Sequence, residues 1–262
     1  MDLISHEYAD LRPLRTRRII HATYSEPPDR VDEVALAALR TGTAASGTVV
    51  DVGCGTGALL RRCAESGHAG RLIGVDTSIA SVRATGGKGV TALQGDACAL
   101  PLRTRSVDCL MERHMLYHVT DVERALREAR RVLRPGGTLV VVLNMRGTTP
   151  RLARMLRACA GRVGPPLPRQ ALVDAEAIKP LLAAQFPRVT ETPYSGHLVF
   201  RHPSPLAALA ESLLGFYGLL RGTEVHRRAA ALVRTEARTW FEANEGPWRD
   251  VKGWTVFAAT AG

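Results

Sequence analysis

The chain has 262 residues, 45% of them hydrophobic, enough for one sizeable domain with a large core. No run of about 18 apolar residues predicts a membrane span, and the opening Met1-Asp-Leu-Ile-Ser-His-Glu7 lacks the basic flank and apolar stretch of a signal peptide. The formal net charge of +10 raises nucleic-acid binding, but nearly all of it is arginine dispersed along the chain, with Lys88, Lys179 and Lys252 the only lysines, so it reads as a solvated basic surface.

Residues 14–25 mix apolar and basic side chains at near-helical spacing until Pro27-Pro28 break the pattern. Asp29 is placed to cap a helix through about Arg40, with Val31, Val34, Ala35 and Ala38 on its apolar face. Val49-Val-Asp-Val52 is a β-branched run of the kind buried in parallel sheets, and it enters alternate glycines, Gly53, Gly55 and Gly57. Leu59, Leu60, Cys63 and Ala64 then continue at helical spacing. A strand that turns into a helix on glycines admits a ligand close to the backbone. The register is Gly-x-Gly-x-Gly, not the Gly-x-Gly-x-x-Gly of dinucleotide sites, and Asp51 before it suits an amine-bearing ligand better than a pyrophosphate.

Arg71-Leu-Ile-Gly-Val-Asp76 reads as a second buried strand ending in an acid, 19 residues beyond Gly57. A carboxylate there can accept from two ribose hydroxyls, or the Asp–Ser junction can cap the next helix. Gly86-Gly-Lys88 is a turn, and Val90–Gln94 a third strand running into Gly95-Asp-Ala-Cys98. Asp96 can accept from a base or close an Asx-turn. Ser106–Met111 is the fourth strand, followed by Glu112-Arg-His-Met-Leu-Tyr-His118. His114 and His118, four apart, would share a face of a helical turn, and either suits a general base or a backbone-satisfied structural histidine. Thr120-Asp121 starts a helix carrying Val122, Ala125, Leu126, Ala129 and Val132; Arg134-Pro-Gly-Gly137 ends it, and Thr138–Leu143 is the fifth strand.

Asp51-Val-Gly-Cys-Gly-Thr-Gly57, Asp76, Gly95-Asp-Ala97, Met115-Leu-Tyr-His-Val119 and Leu133-Arg-Pro-Gly-Gly137 together resemble class I S-adenosylmethionine-dependent methyltransferases, over Val49 to Leu143. The resemblance implies an α/β fold: a doubly wound, mostly parallel, seven-stranded Rossmann-like sheet binding S-adenosyl-L-methionine at its strand C-termini. It implies cofactor contacts from Asp51, Gly53, Cys54, Gly55, Gly57, Asp76, Thr77, Asp96, Ala97, Cys98 and Arg113. Asp96 would meet the adenine amine, with Ala97 and Cys98 against the ring. Residues 14–25 are similar to an N-terminal segment that folds over the cofactor in some small-molecule methyltransferases, which adds Arg17 as a cofactor contact and His21 and Tyr24, beside His114 and His118, as catalytic candidates.

Beyond residue 144 the motifs cease. Helices are expected at 149–160, at Leu172–Ala184 with a bend at Pro180, at Leu206–Leu220 and at Val225–Phe241; Gly164–Pro168 reads as a loop. Val189–Phe200, interrupted at Pro193, and Trp254–Ala259 complete the strands. Phe216, Tyr217, Trp240 and Phe241 would line an apolar pocket or form the core of a helical cap. The expected organisation is an N-terminal helical segment over the cofactor (1–45), a cofactor-binding core (46–145), and the remaining sheet with cap elements near 149–160 and 203–247 (146–262).

The five cysteines, Cys54, Cys63, Cys98, Cys109 and Cys159, are odd in number and lack metal-ligand spacing. They read as reduced thiols of a cytoplasmic protein, and no metal is expected. Nothing resembles the Asn/Asp-Pro-Pro-Tyr/Phe segment of nucleic-acid amino-methyltransferases. The expected reaction is therefore methyl transfer to an O, N or C nucleophile of a small molecule, such as a natural-product or secondary-metabolite intermediate. The alternatives are an RNA- or protein-directed methyltransferase and a non-catalytic cofactor-binding protein. Neither a membrane nor nucleic acid is an expected partner, and the sequence leaves the oligomeric state open.

Overall fold

The computed structural model describes residues 3–40, 46–87, 89–164 and 173–262. Lys88, residues 165–168 of the expected loop, and Leu172 of the expected helix lie outside the described residues. The chain divides into two compact units, one of Arg30–Arg146, Ala171–Tyr194 and Trp254–Gly262, the other of Met1–Asp29, Gly147–Gln170 and Ser195–Gly253. The strands are β1 (Ser25–Glu26), β2 (Val49–Val52), β3 (Leu72–Asp76), β4 (Val90–Gln94), β5 (Val107–Arg113), β6 (Leu133–Asn144), β7 (Arg188–Phe200) and β8 (Trp248–Thr260), in sheet order β1-β7-β8-β6-β5-β2-β3-β4. The seven expected strands are all present. The two-residue β1, which pairs antiparallel with Leu198 and His197, was not expected.

The first unit is the α/β core. Strands β4, β3, β2, β5 and β6 run parallel, and β8 pairs antiparallel with β6. Parallel strands covered on both faces must be apolar on both, and β2 is buried at all four positions. One face packs Val50, Val52, Leu110, Val141 and Leu143 with Ala125, Leu126 and Ala129 of α6 (Val122–Val132) and Ile178 and Leu182 of α8 (Ile178–Gln185). The other packs Val49, Cys109, Met111, Val140 and Val142 with Ala35 of α3 (Val31–Arg40) and Leu59, Leu60 and Cys63 of α4 (Ala58–Glu65). Helix α5 (Ile79–Thr85) starts on Ser78, whose side chain accepts from Ser81 N, and α6 starts on Asp121, which accepts from Arg124 N.

Three local expectations are corrected. Helix α8 begins at Ile178, after Asp174 has accepted from Glu176 N and Ala177 N, so Pro180 falls in the first turn, where no intrahelical N–H is lost and no bend is required. Pro193 does not interrupt β7; it is exposed on a stretch that β1 does not reach, where a missing donor is tolerated. Leu133 already pairs with Val107, so Pro135-Gly136-Gly137 makes an irregularity within β6 rather than a loop before it.

The second unit is mainly helical: α1 (Leu3–Glu7), α2 (Arg12–Tyr24), α7 (Pro150–Gly161), α9 (Pro203–Leu213), a 3-10 turn at Leu214–Tyr217, and α10 (Glu224–Ala243). Its core gathers Ile20, Leu152, Leu156, Leu206, Ala210, Ala229, Val233 and Trp248. Asp250 holds the start of α7 by accepting from Leu152 N at 2.7 Å and Arg151 N at 3.2 Å.

Candidate active site

The chain leaves β2 at Val52 and turns through Gly53, Gly55 and Gly57, all left-handed, with φ of 68°, 54° and 69°. A side chain would be strained at such angles, and at Gly53 and Gly57 there is no space for one. A Cβ on Gly53 would lie 2.8 Å from Met115 Cβ, and one on Gly57 would lie 2.8 Å from the backbone of Thr85. Gly53 N and Cys54 N donate to Val75 O, and Thr85 Oγ1 donates to Gly55 O, so the loop is knitted to β3 and α5. No side chain caps α4, whose first N–H groups follow Gly57 directly. Left-handed glycines, an open helix start and flanking carboxylates fit a polar ligand laid along the loop, as S-adenosyl-L-methionine would be.

The acids already serve the fold. Asp76 at the tip of β3 accepts from Gly55 N through Oδ2 and from Ser78 N through Oδ1, both at 2.9 Å. Burial pushes its carboxyl above the usual range, and these backbone donors oppose the shift. Ser78 rather than Asp76 therefore caps α5, and Asp76 ties the glycine loop to that helix. Thr77 is exposed, its carbonyl accepting from the Gln94 amide. Asp96 is exposed and closes a turn by accepting from Cys98 N at 2.8 Å, with Ala97 buried behind it and Cys98 half-buried. Asp51 is buried and lies 3.8 Å from Arg113 Nε; Arg113 also pairs with Asp32 at 2.7 Å, and Asp32 with Arg62 at 3.1 Å. Burial drives the Cys54 thiol up to about 12, so it sits as an inert thiol beside Thr85.

The expected shared helical face of the histidines is not formed. His114 is left-handed, with φ of 51° and its N–H on Val142 O, and it precedes the single 3-10 turn Leu116–His118. His118 ends that turn with its ring edge-on to Tyr117 at 4.5 Å. Both histidines are half-buried just past the C-terminus of β5, the end of a parallel sheet at which ligands bind.

Arg17, His21 and Tyr24 belong to the helical unit and are described within it. The Arg17 guanidinium is buried, paired with Glu7 at 2.8 Å, donating to Ser212 O and lying over Phe216 at 5.0 Å. These contacts engage Nη1 and the face of the guanidinium, and Nη2 is buried with no hydrogen-bond partner. Tyr24 packs on Phe200 at 5.2 Å, and His21 O accepts from Ser25 Oγ. Lys252, also buried, donates to Ser25 Oγ and pairs with Asp29. Phe216, Tyr217, Trp240 and Phe241 pack in or against this unit's own core, Trp240 edge-on to Trp248 at 5.0 Å.

Sequence reasoning missed Asp32, the partner of Arg113, and Glu112, an acid wholly buried in β5 whose two oxygens have no hydrogen-bond partner. The signal for Glu112 was present: an acid directly after the apolar run Cys109-Leu-Met111. Among the described residues, no group of three or more His, Cys, Asp or Glu side chains is placed to hold a metal ion, and no helix is long and apolar enough to cross a membrane.

Residues 50–141 match the family model described as "Methyltransferase domain". The chain is 30% identical over 184 residues to the ubiquinone/menaquinone biosynthesis C-methyltransferase UbiE of Caulobacter vibrioides, covering 59% of this chain and 73% of that protein. It is 34% identical over 125 residues to UbiE of Hahella chejuensis, covering 44% of this chain and 50% of that protein. The chain spans about half the length of several curated relatives it matches. The crystal structure of the [4+2]-cyclase SpnF superposes with a TM-score of 0.56 at 22% identity, covering 88% of this chain and 80% of that one. With these motifs on this sheet and this extent of likeness, the chain belongs to the class I S-adenosylmethionine-dependent methyltransferases.

Proposed function

We propose that the chain transfers a methyl group from S-adenosyl-L-methionine to an O, N or C nucleophile of a small molecule, such as a natural-product or secondary-metabolite intermediate. The observation that carries this reading is the left-handed glycine loop braced to the next strand by Gly55 N on Asp76. The bound cofactor supplies an already electrophilic methyl carbon. The chain's task is then to orient the acceptor and exclude water, and positioning of this kind can supply about 7–11 kcal/mol of a barrier. Gly53, Cys54, Gly55 and Gly57 would hold the cofactor through backbone groups. Asp76 and Thr77 would take the ribose side, and Asp96, Ala97 and Cys98 the base. Asp51 and Arg113 would take the charged amino-acid end. Each Asp76 oxygen carries one backbone donor and, as a carboxylate oxygen, can accept a second. For an O–H acceptor, His114 or His118 would remove the proton, a contribution of roughly 10²–10⁴-fold. Tyr24 and His21 remain acceptor-side candidates of the helical unit; Arg17, given its partners there, is the weakest of the proposed cofactor contacts.

The small-molecule assignment draws on the UbiE relatives, named for C-methylation in quinone biosynthesis. The likeness to SpnF, a cyclase, supports a second reading in which the same fold serves a reaction other than methyl transfer. Calorimetric titration of S-adenosylmethionine and S-adenosylhomocysteine, followed by methyl transfer to phenol, amine and quinol acceptors, separates the two. Micromolar binding weakened by Asp76→Asn, with transfer to at least one class, supports the proposal. Binding without transfer to any acceptor favours the cyclase-like reading, and no binding refutes both.

A further inference from the structure

Glu112 is the sixth residue of β5, directly beside Val52, the last residue before the glycine loop, and beside Val141 on its other side. Paired strands lie about 4.8 Å apart, so Glu112 begins one strand from the loop. Side chains alternate along β5: Met111 and Arg113 face α3 and α4, and Leu110 and Glu112 face α6 and α8. Glu112 has no exposed surface, and neither carboxyl oxygen has a donor.

Among the described residues, no charge on that face pairs with it. Asp51 and Arg113 are spent with each other and with Asp32 on the opposite face. Helix α6 turns Val122, Ala125, Leu126 and Ala129 inward; Glu123, Arg124 and Arg127 are exposed, Glu128 is paired with Arg131, and Arg130 donates to Gly262 O. Lys179 of α8 is half-buried and pairs with the exposed Glu176 and Glu191. His114 and His118 follow Glu112 in the chain, and Asp96 and Asp121 are exposed. Burial alone pushes the Glu112 carboxyl up to about 8, so at neutral pH it is a neutral acid. An uncompensated acid in a core costs stability that an apolar residue would not. A ligand that brings positive charge to the end of β5 would relieve that cost. S-adenosylmethionine and S-adenosylhomocysteine carry the same amino-acid and nucleoside ends and differ by one methyl group and the positive charge on sulfur.

Resting on the methyl-transfer reading, we propose that Glu112 is the charge-sensing residue of the cofactor site, releasing its proton to solvent when a sulfonium occupies the loop after β2 and regaining it when the sulfur is an uncharged thioether. The site thereby holds the cofactor more tightly than the spent product. Glu112 is a specificity determinant and need not touch the acceptor.

The test is calorimetric titration of both ligands into wild type and Glu112→Gln, at pH 7 in two buffers of different ionisation enthalpy. Wild type should release most of one proton with S-adenosylmethionine and much less with S-adenosylhomocysteine. Glu112→Gln should lose that difference and at least about tenfold of the preference for S-adenosylmethionine, while keeping its affinity for S-adenosylhomocysteine. A second measurement follows the ratio of the two affinities from pH 6 to pH 8 in both proteins. The sulfonium lowers the ammonium pKa of S-adenosylmethionine, so Glu112→Gln supplies the baseline that contains this ligand contribution, and in wild type the ratio should rise relative to that baseline in favour of S-adenosylmethionine. Equal proton release by the two proteins, an unchanged preference, or the same pH course of the ratio in both overturns the proposal and leaves the methyl-transfer reading standing. Failure of both ligands to bind wild type overturns the two together.

Discussion

Gly57→Ala tests whether the glycine loop is held as tightly as its geometry implies. Gly57 has φ of 69°, and its absent Cβ would sit 2.8 Å from Thr85 Cα and Oγ1 and 2.9 Å from Thr85 Cγ2. The left-handed backbone costs an alanine about 1 kcal/mol. The collision adds about 1–3 kcal/mol, because two of those atoms are Cα and a β-branched methyl and α5 must shift to clear them. The expected total is about 2–4 kcal/mol. Gly67→Ala is the internal control: its φ is 80°, and nothing lies within 4 Å of the added atom, so only the backbone penalty of about 1 kcal/mol applies. Urea unfolding of both variants against wild type reads the two costs, and cofactor titration should fail for Gly57→Ala alone. Equal destabilisation by the two substitutions would mean that Thr85 yields freely and that the loop is not sterically set by α5.

Two further predictions concern buried charge. The Glu112 carboxyl titrates from a reference value of 4.5 to about 8 in the fold, so between those pH values the unfolded chain holds fewer protons than the native one. Stability should therefore fall as pH rises across that window, by about 1.4 kcal/mol per unit and about 5 kcal/mol in all, and Glu112→Gln should abolish this component. Urea midpoints of the two proteins that track in parallel from pH 5 to pH 8 would show that the carboxyl is not buried. Arg17→Met should leave Glu7 buried without its partner and cost about 3–5 kcal/mol, with part restored in the Glu7→Gln/Arg17→Met double variant. Thermal melting measures it, and a variant with unchanged melting but weaker cofactor binding would return Arg17 to the binding role that the sequence implied.

Strands β2, β3 and β4 were legible because each is a short, mostly apolar run bounded by glycine or an acid, and buried parallel strands have few other ways to be written. Helix starts at Ser78 and Asp121 were legible for the same local reason, since a side-chain acceptor at a cap acts within three residues. What the sequence did not show depends on partners distant along the chain or on local backbone geometry. The pairing of Arg17 with Glu7 and with Ser212 O, the latter 195 residues away, is not visible in its own stretch of sequence. His114 and His118 share a helical face only if the chain between them is α-helical, and the left-handed turn at His114 prevents that. Val52–Glu112 pairing depends on register between two strands 60 residues apart, which no window along the chain contains.

The polar residues of the motif share one property. Asp76 is fixed by two backbone donors, Asp96 by one, and Asp51, Arg113 and Asp32 lie together in one charged network. These contacts exist within the chain itself, so a cofactor meeting them need not order them first, and binding is spared that entropic cost. A site so arranged recognises shape and hydrogen bonding but does little to distinguish two ligands that differ only in the charge on one sulfur atom. Glu112 is the opposite kind of residue: it has no internal partner, and its protonation can answer to a nearby charge. Discrimination between cofactor and product is thus expected to reside in Glu112, whose two carboxyl oxygens the fold leaves unsatisfied, and affinity common to both ligands in the acids that it braces.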